Sequence, residues 1–188
     1  MAITHLYLVR HGETEWNQSL RLQGHLDSPL TDKGWDQAKQ AARLLEGTEL
    51  SAIYTSDLGR CNDTAQLIAN RHQLSLTQLP GLRERHFGPL QGMQLTEMTA
   101  QQLALCNLHV DSSPDATPQG GESVRDVWHR SEQTLADIAG NHVDQAVAVV
   151  THGSVLAILL QGLASLPLHP VRSGHYENGS VVGLAWAH

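Results

Sequence analysis

ITHLYLVRHG, residues 3–12, is a short apolar run rich in strand-forming residues that ends on Arg10, His11 and a glycine. It reads as a strand leading into a loop, because glycine lets the chain turn sharply where the run stops. QAVAVVTH, residues 145–152, is a second apolar run into a polar end, again followed by glycine. Outward from these runs the chain alternates between strand and helix. After a polar loop through Gly24 and Pro29, Thr31 is placed to cap a helix over 32–47, with Ala38, Ala41, Ala42 and Leu45 at helical spacing and Gly47 closing it. SAIYTS (51–56) reads as a buried strand, and Ser56 as the cap of a second helix over 57–72 whose Cys61, Ala65, Ile68 and Ala69 share a face.

Residues 74–80 read as strand, 82–94 as a loop interrupted by glycine and proline, and 95–105 as helix. Ser123 with Asp126 resembles a capping pair for a helix reaching about Ile138; 153–163 reads as a buried helix and 180–187 as a final strand. This alternation predicts an α/β fold of three layers, αβα, with a mostly parallel central sheet. Residues 83–120 then form a small insertion beside the site. No repeat, low-complexity tract or linker interrupts the pattern, so one domain over 1–188 is expected.

The chain has 188 residues and only two cysteines, Cys61 and Cys106, so it has no need of a disulfide framework. Twelve Lys plus Arg against nineteen Asp plus Glu give a net charge of -7, which repels nucleic acid and anionic membranes. An anionic ligand must therefore be held by locally placed cations. The apolar start is too short and too interrupted for a signal segment, and residues 146–160 are broken by Thr151 to Ser154, so a soluble, cytoplasmic protein is expected. Twelve histidines are many, yet no two lie two, three or four residues apart, so no metal motif is read and none is expected.

In open α/β sheets ligands bind at the carboxyl ends of strands, which is where His11 and His152 fall. A lone histidine at a strand end is more often structural. Two His-Gly pairs, one beside Arg10, point instead to an anion site.

The residues here resemble the histidine phosphatases, the phosphoglycerate mutase-like superfamily. LVRHGETEWN (8–17), RLQGHLDSPLTDKGWDQA (21–38), TSDLGRCNDTA (55–65), LRERHFGPLQG (82–92), GGES (120–123) and VTHG (150–153) look like that family's motifs, in its order. The resemblance implies that His11 is the nucleophile, forming a phosphohistidine, and that Glu84 is the general acid and later the base. It implies that Arg10, Arg60 and His152 surround the phosphoryl oxygens, Asn17 adds a neutral donor, and the backbone near Gln23, Gly24 and Gly153 touches the ligand. The partner is a small phosphorylated substrate, with no cofactor.

Other residues carry plainer readings. Arg60 on its own reads as a surface residue of a helix, promoted only by the TSDLGR context. Arg83 and Arg85 read as a solvated charge cluster, Glu122 as a first-turn residue favourable to the helix dipole, and His86 stays open. His5, His25, His72, His109, His129, His142, His169, His175 and His188 read as surface or structural, and Trp16 and Trp35 as packing residues. Cys61 reads as a small buried hydrophobe whose nearness to the site raises its expected sensitivity to oxidation. Between family members, a phosphatase is favoured over a cofactor-dependent phosphoglycerate mutase, because the chain is short and has no lysine after Lys39 for an extra anion site. An inactive binding module is the remote alternative, since a binding module needs no general acid. Substrate and oligomeric state are not read from the sequence.

Overall fold

The computed structural model describes residues 2–106, 113–168 and 176–188. Five strands, β1 (Ile3–Arg10), β2 (Leu50–Thr55), β3 (Leu76–Gln78), β4 (Ala146–Thr151) and β5 (Val181–Ala187), form one sheet in the order β3-β2-β4-β1-β5. The first four are parallel, and β5 lies antiparallel to β1. One face carries α2 (Asp32–Leu44) and α3 (Gly59–His72); the other carries α5 (Val124–Asn141) and α6 (Gly153–Leu163). The mostly parallel three-layer α/β architecture is as the alternation predicts.

β4 shows why the central strands lack a polar alternation. Val147 and Val149 pack with the α5 and α6 side chains, whereas Ala148 and Val150 pack with those of α2 and α3. A strand covered on both faces has no solvent face to mark. Each valine wholly buried this way contributes about 1.5–3 kcal/mol. The register pairs Arg10 of β1 with Thr151 of β4, so the next residues, His11 and His152, leave the sheet side by side.

Local chemistry sets the helix ends. Thr31 Oγ1 accepts the Gly34 N–H at 3.0 Å, as its reading as a cap requires. Ser123 and Asp126 form a reciprocal capping box, and α5 runs on to Asn141, three residues beyond Ile138. Three expectations are corrected. α2 ends at Leu44 with Leu45 as its C-cap, before Gly47. The helix expected from Asp57 begins at Gly59, and Ser56 does not cap it: the cap residue is Leu58, and the Arg60 N–H instead meets the Asp27 carboxylate, at 3.3 Å from Oδ2. A distant loop thus does the capping. Residues 95–105 are a 3-10 turn, Leu95–Glu97, then α4 (Ala100–Leu105) capped by Thr99, because Met98 turns inward and breaks the run.

A short helix, α1 (Glu15–Gln18), was not legible in the sequence. Its capping box joins Thr14 to Asn17. The insertion has a small apolar cluster of its own, in which Leu22 packs with Phe87, Leu90, Met98 and Cys106. Residues 107–112 of the insertion, with His109, and also His169 and His175, lie outside the described residues. Trp35, expected to pack, is 37 % exposed. No helix among the described residues is long and apolar enough to cross a membrane.

The loop after β1 is pressed against the first turn of α2. A Cβ at Gly34 would lie 2.0 Å from the Glu13 carbonyl oxygen, and one at Gly12 would lie 2.3 Å from the Gly34 carbonyl oxygen. Neither clash can be relieved by a side-chain rotation. Gly140, within α5, has nothing within 4 Å of where a Cβ would stand. Gly34→Ala is therefore expected to cost about 1–3 kcal/mol or more through backbone displacement, whereas Gly140→Ala is expected to stabilise by about 0.5–1 kcal/mol. Urea unfolding of both variants checks the contrast, which is lost if Gly34→Ala is neutral.

Candidate active site

The carboxyl ends of β1 and β4 open onto a cavity of about 300 Å³. Arg10, His11, Asn17, Gln23, Gly24, Arg60, Glu84 and Gly153 all line it. His11 is 3 % exposed, and its Nδ1 lies 2.7 Å from the Gly12 carbonyl oxygen. A carbonyl oxygen only accepts, so Nδ1 carries the proton and Nε2 keeps its lone pair. The main chain of His11 is fixed as well: its N–H donates to Thr151 O at 3.0 Å, and its carbonyl accepts from Asn178 Nδ2 at 3.0 Å.

The two arginines reach the cavity by different routes. Arg10 ends β1 and donates through Nη1 to the Tyr176 carbonyl. Its guanidinium lies against Gly153, where a Cβ would come within 2.9 Å of Nε and would push the guanidinium aside. Arg60, in the first turn of α3, is 1 % exposed. It donates to Gly24 O at 2.8 Å, to Leu26 O at 2.9 Å and to Asp27 Oδ1 at 2.9 Å. The Nε atoms of both arginines are buried and have no hydrogen-bond partner among the described residues. Burial closes these two Nε atoms to a ligand as well as to water, so what the arginines bring to the cavity they line is their charge and their other guanidinium nitrogens. Two guanidinium charges on one cavity suit an anion.

His152 is fully buried and is not among the side chains lining the cavity. It stands edge-on behind His11, with ring centroids 5.2 Å apart, and its Nε2 pairs with Ser56 Oγ at 2.9 Å. That pairing is the use to which Ser56 is put. Glu84 accepts the Arg85 N–H at Oε1, 2.8 Å, and the Ser154 hydroxyl at Oε2, 3.2 Å. Asn17 accepts from Thr14 N and from Asn178 Nδ2 at Oδ1, so its NH2 is the group it can offer a ligand.

A family model described as histidine phosphatase superfamily (branch 1) matches residues 6–188. The chain belongs to the histidine phosphatase superfamily. It is 33 % identical to a protein of Photorhabdus laumondii named probable phosphoglycerate mutase GpmB, over 97 % of this chain and 85 % of the relative. Among solved structures it is similar to YhfR of Bacillus stearothermophilus, with a TM-score of 0.87 and 37 % identity, covering 96 % of this chain and 90 % of that one. It also resembles a mycobacterial glucosyl-3-phosphoglycerate phosphatase complexed with VO3, with a TM-score of 0.83 and 33 % identity, covering 95 % and 91 %.

In this member of the superfamily the charges around Glu84 are not a solvated cluster. Arg83 forms a two-pronged pair with Asp57, through Nε at 2.7 Å and through Nη2. Arg85 is 2 % exposed and donates to the carbonyls of Glu122, Leu105 and Ala116, which ties the insertion to the start of α5. Glu122 pairs with Arg130 at 2.7 Å and accepts the His86 N–H at 2.8 Å. Burial pushes its carboxyl up, but Arg130 and the His86 amide outweigh this and hold it below the usual carboxylate range. It is an ionised anchor. His86 accepts from Gly88 N at Nδ1, 3.2 Å, and stacks edge-on with His25, whose Nε2 meets Glu84 O at 2.8 Å.

Several residues of the site escaped the sequence reading: Ser56, Asp27, Thr64, Arg130, Ser154 and Asn178. Thr64 Oγ1 accepts the Gly12 N–H at 3.1 Å, and Arg130 binds the carbonyls of Gly81, Arg83 and Glu84. A polar residue, on a helix or in a loop, carries no local signal of a contact with a distant segment. Trp16, expected to pack, lines the cavity. Cys61 is wholly buried, and burial raises its thiol far above the ordinary value, which opposes the oxidation sensitivity expected for it. Among the described residues no group of three or more His, Cys, Asp or Glu side chains is placed to hold a metal.

Burial depresses His11 and His152 well below the ordinary imidazole value, and the charge of Arg60 adds to both shifts. Arg10 lowers His11 further, against an opposing effect of the Gly12 carbonyl. Both rings are neutral at pH 7. In the unfolded chain they take up protons near pH 6.5, whereas the folded chain resists to lower pH. The unfolded state thus binds more protons below about pH 6.5, and stability falls as pH drops from there toward the depressed folded values, each ring adding up to about 1.4 kcal/mol per pH unit. Urea unfolding between pH 7.5 and 5.5 should show this slope, and His152→Gln should flatten it by up to one proton's worth. An unchanged slope in that variant contradicts a neutral buried His152.

Proposed function

We propose that this protein is a phosphatase that hydrolyses a small phosphomonoester through a phosphohistidine at His11. The observation that carries the reading is the Nδ1 bond of His11 to the Gly12 carbonyl, which leaves the lone pair of Nε2 within the field of the Arg10 and Arg60 guanidinium groups that line the same cavity. Burial lowers Arg10 from its ordinary value, Glu84 opposes this and Arg60 adds to it, but a guanidinium stays charged. Arg10, Arg60 and the Asn17 amide hold the phosphoryl oxygens, with His152 backing the cradle. These contacts are charge-assisted and strengthen where negative charge gathers in the transition state.

In the first step Nε2 of His11 attacks phosphorus, the bond from phosphorus to the ester oxygen breaks, and Glu84 gives its proton to the leaving alkoxide. In the second step Glu84 takes a proton from water, the water oxygen attacks phosphorus, and the N–P bond breaks to release orthophosphate and restore His11. The Arg85 N–H and the Ser154 hydroxyl orient the carboxyl for both transfers.

The relatives named probable phosphoglycerate mutase support a second reading, an isomerase that returns the phosphoryl group from the same histidine. Product analysis separates the two: with a panel of phosphorylated metabolites, with and without 2,3-bisphosphoglycerate, the phosphatase releases orthophosphate and forms no isomer. Accumulation of isomerised phosphoglycerate favours the mutase.

His11→Ala is expected to lower turnover by about 10³-fold or more, and acid-labile phosphate on the wild type should map to His11; label trapped on another residue sinks the mechanism. Glu84→Gln should slow the single-turnover burst far more for alkyl phosphates than for an aryl phosphate, whose phenolate leaves without a proton. Equal losses for both would remove Glu84 from the proton-donor role.

A further inference from the structure

We infer that His25 is a positioning residue: its ring ties the main chain of Glu84 to the loop that holds Arg60, and so sets where the acid stands relative to the phosphoryl cradle. This rests on the phosphatase reading, in which Glu84 gives its proton to the leaving alkoxide. His25 is half-buried and is not among the described residues that line the cavity, so it acts through Glu84 and not on the substrate. Its Nε2 lies 2.8 Å from the Glu84 carbonyl oxygen. A carbonyl only accepts, so Nε2 carries the proton and donates it.

The bonds made by the Glu84 carboxyl do not by themselves fix its place. The Arg85 N–H, its donor at 2.8 Å, belongs to the next residue of the same loop and moves with it. Ser154 reaches it from α6 at 3.2 Å, which is long for a hydroxyl donor. The Glu84 main-chain carbonyl is held more closely, by Arg130 Nη2 from α5 at 3.0 Å and by His25 Nε2 from the loop after α1 at 2.8 Å. Arg130 also binds the carbonyls of Gly81 and Arg83, so it fastens the acid loop to α5. His25 fastens it to the cradle. Its neighbours Gly24 and Leu26 turn their carbonyls to Arg60, so one short loop grips the phosphoryl arginine on one side and the acid on the other.

The imidazole is itself held in this pose. The His25 N–H donates to Gln91 Oε1 at 2.8 Å, and the ring lies edge-on to His86, with centroids 4.7 Å apart. Both partners follow Glu84 in the same loop. His25 thus clasps the acid loop by its main chain, its ring and its Nε2 alike.

The test compares two amides that differ in reach. The Nε2 of glutamine stands as many bonds from Cα as the Nε2 of histidine, whereas the Nδ2 of asparagine stands a bond short. On the alkyl phosphate turned over fastest in the metabolite panel, His25→Asn should lower the first-turnover rate by about tenfold or more, and His25→Gln should stay within about threefold of the wild type. On 4-nitrophenyl phosphate, whose leaving group needs no proton, His25→Asn should lose less than about threefold. The inhibition constant of orthophosphate should change by less than about twofold in both variants, since the cradle is untouched. When His25→Asn is combined with Glu84→Gln, the alkyl loss should equal that of Glu84→Gln alone, because a misplaced acid costs nothing once the acid is gone. The positioning role is overturned by a wild-type rate or equal losses on the two substrates in His25→Asn, by a weakened orthophosphate inhibition, by losses that add in the double variant, or by a His25→Gln as slow as His25→Asn. In each of these cases a Glu84→Gln variant that spares the aryl substrate keeps the phosphatase reading. Absence of alcohol release from every alkyl phosphate, or equal losses on both substrates in Glu84→Gln, overturns that reading and the role of His25 with it.

Discussion

A guanidinium group taken almost wholly out of water must have its charge met, and Arg60 organises the site through that requirement. The carbonyls of Gly24 and Leu26 and the Asp27 carboxylate turn inward to meet it, which fixes the loop after α1. The same Asp27 receives the Arg60 main-chain N–H and so starts α3. One side chain therefore couples a loop, a helix start and the cavity. In a chain with a net charge of -7, this coupling lets a cation stand where an anion is to be held.

The arginines divide by where they stand. Arg85 and Arg130 bind carbonyls and act as staples that hold the insertion and the Glu84 loop against α5. Arg83 is matched to Asp57 in a planar two-pronged pair. Arg10 and Arg60 line the cavity and bring their charge to it. Residue type alone does not separate a staple from a ligand-binding group; standing in the cavity beside His11 does.

Burial also sets the protonation of the histidines. With two guanidinium groups nearby and little water, His11 and His152 stay neutral, which is the state a nitrogen nucleophile needs. The Gly12 carbonyl then selects the tautomer. Charge and dielectric thus act on the same ring that the sheet register has placed.

The apolar runs of β1 and β4, the helical stripes of α2 and α3, and the Thr31 and Ser123 caps were legible in the sequence because each depends on neighbours within a few residues. The motif order likewise placed His11, Arg60, Glu84 and His152 in one family pattern. Ser56 shows the limit: locally it is a good helix cap, but its hydroxyl goes to His152, ninety-six residues away, and Asp27 takes over the capping. Trp16 read as a packing residue, yet it lines the cavity. Glu122 looked like a first-turn charge for a helix dipole, whereas Arg130 and the His86 amide make it an anchor. The sequence by itself determined which segments bury which faces, and therefore the αβα layers. Only the tertiary structure decided which polar groups satisfy one another, since hydrogen bonds between distant segments form wherever packing brings donors and acceptors together and leave no period in the chain.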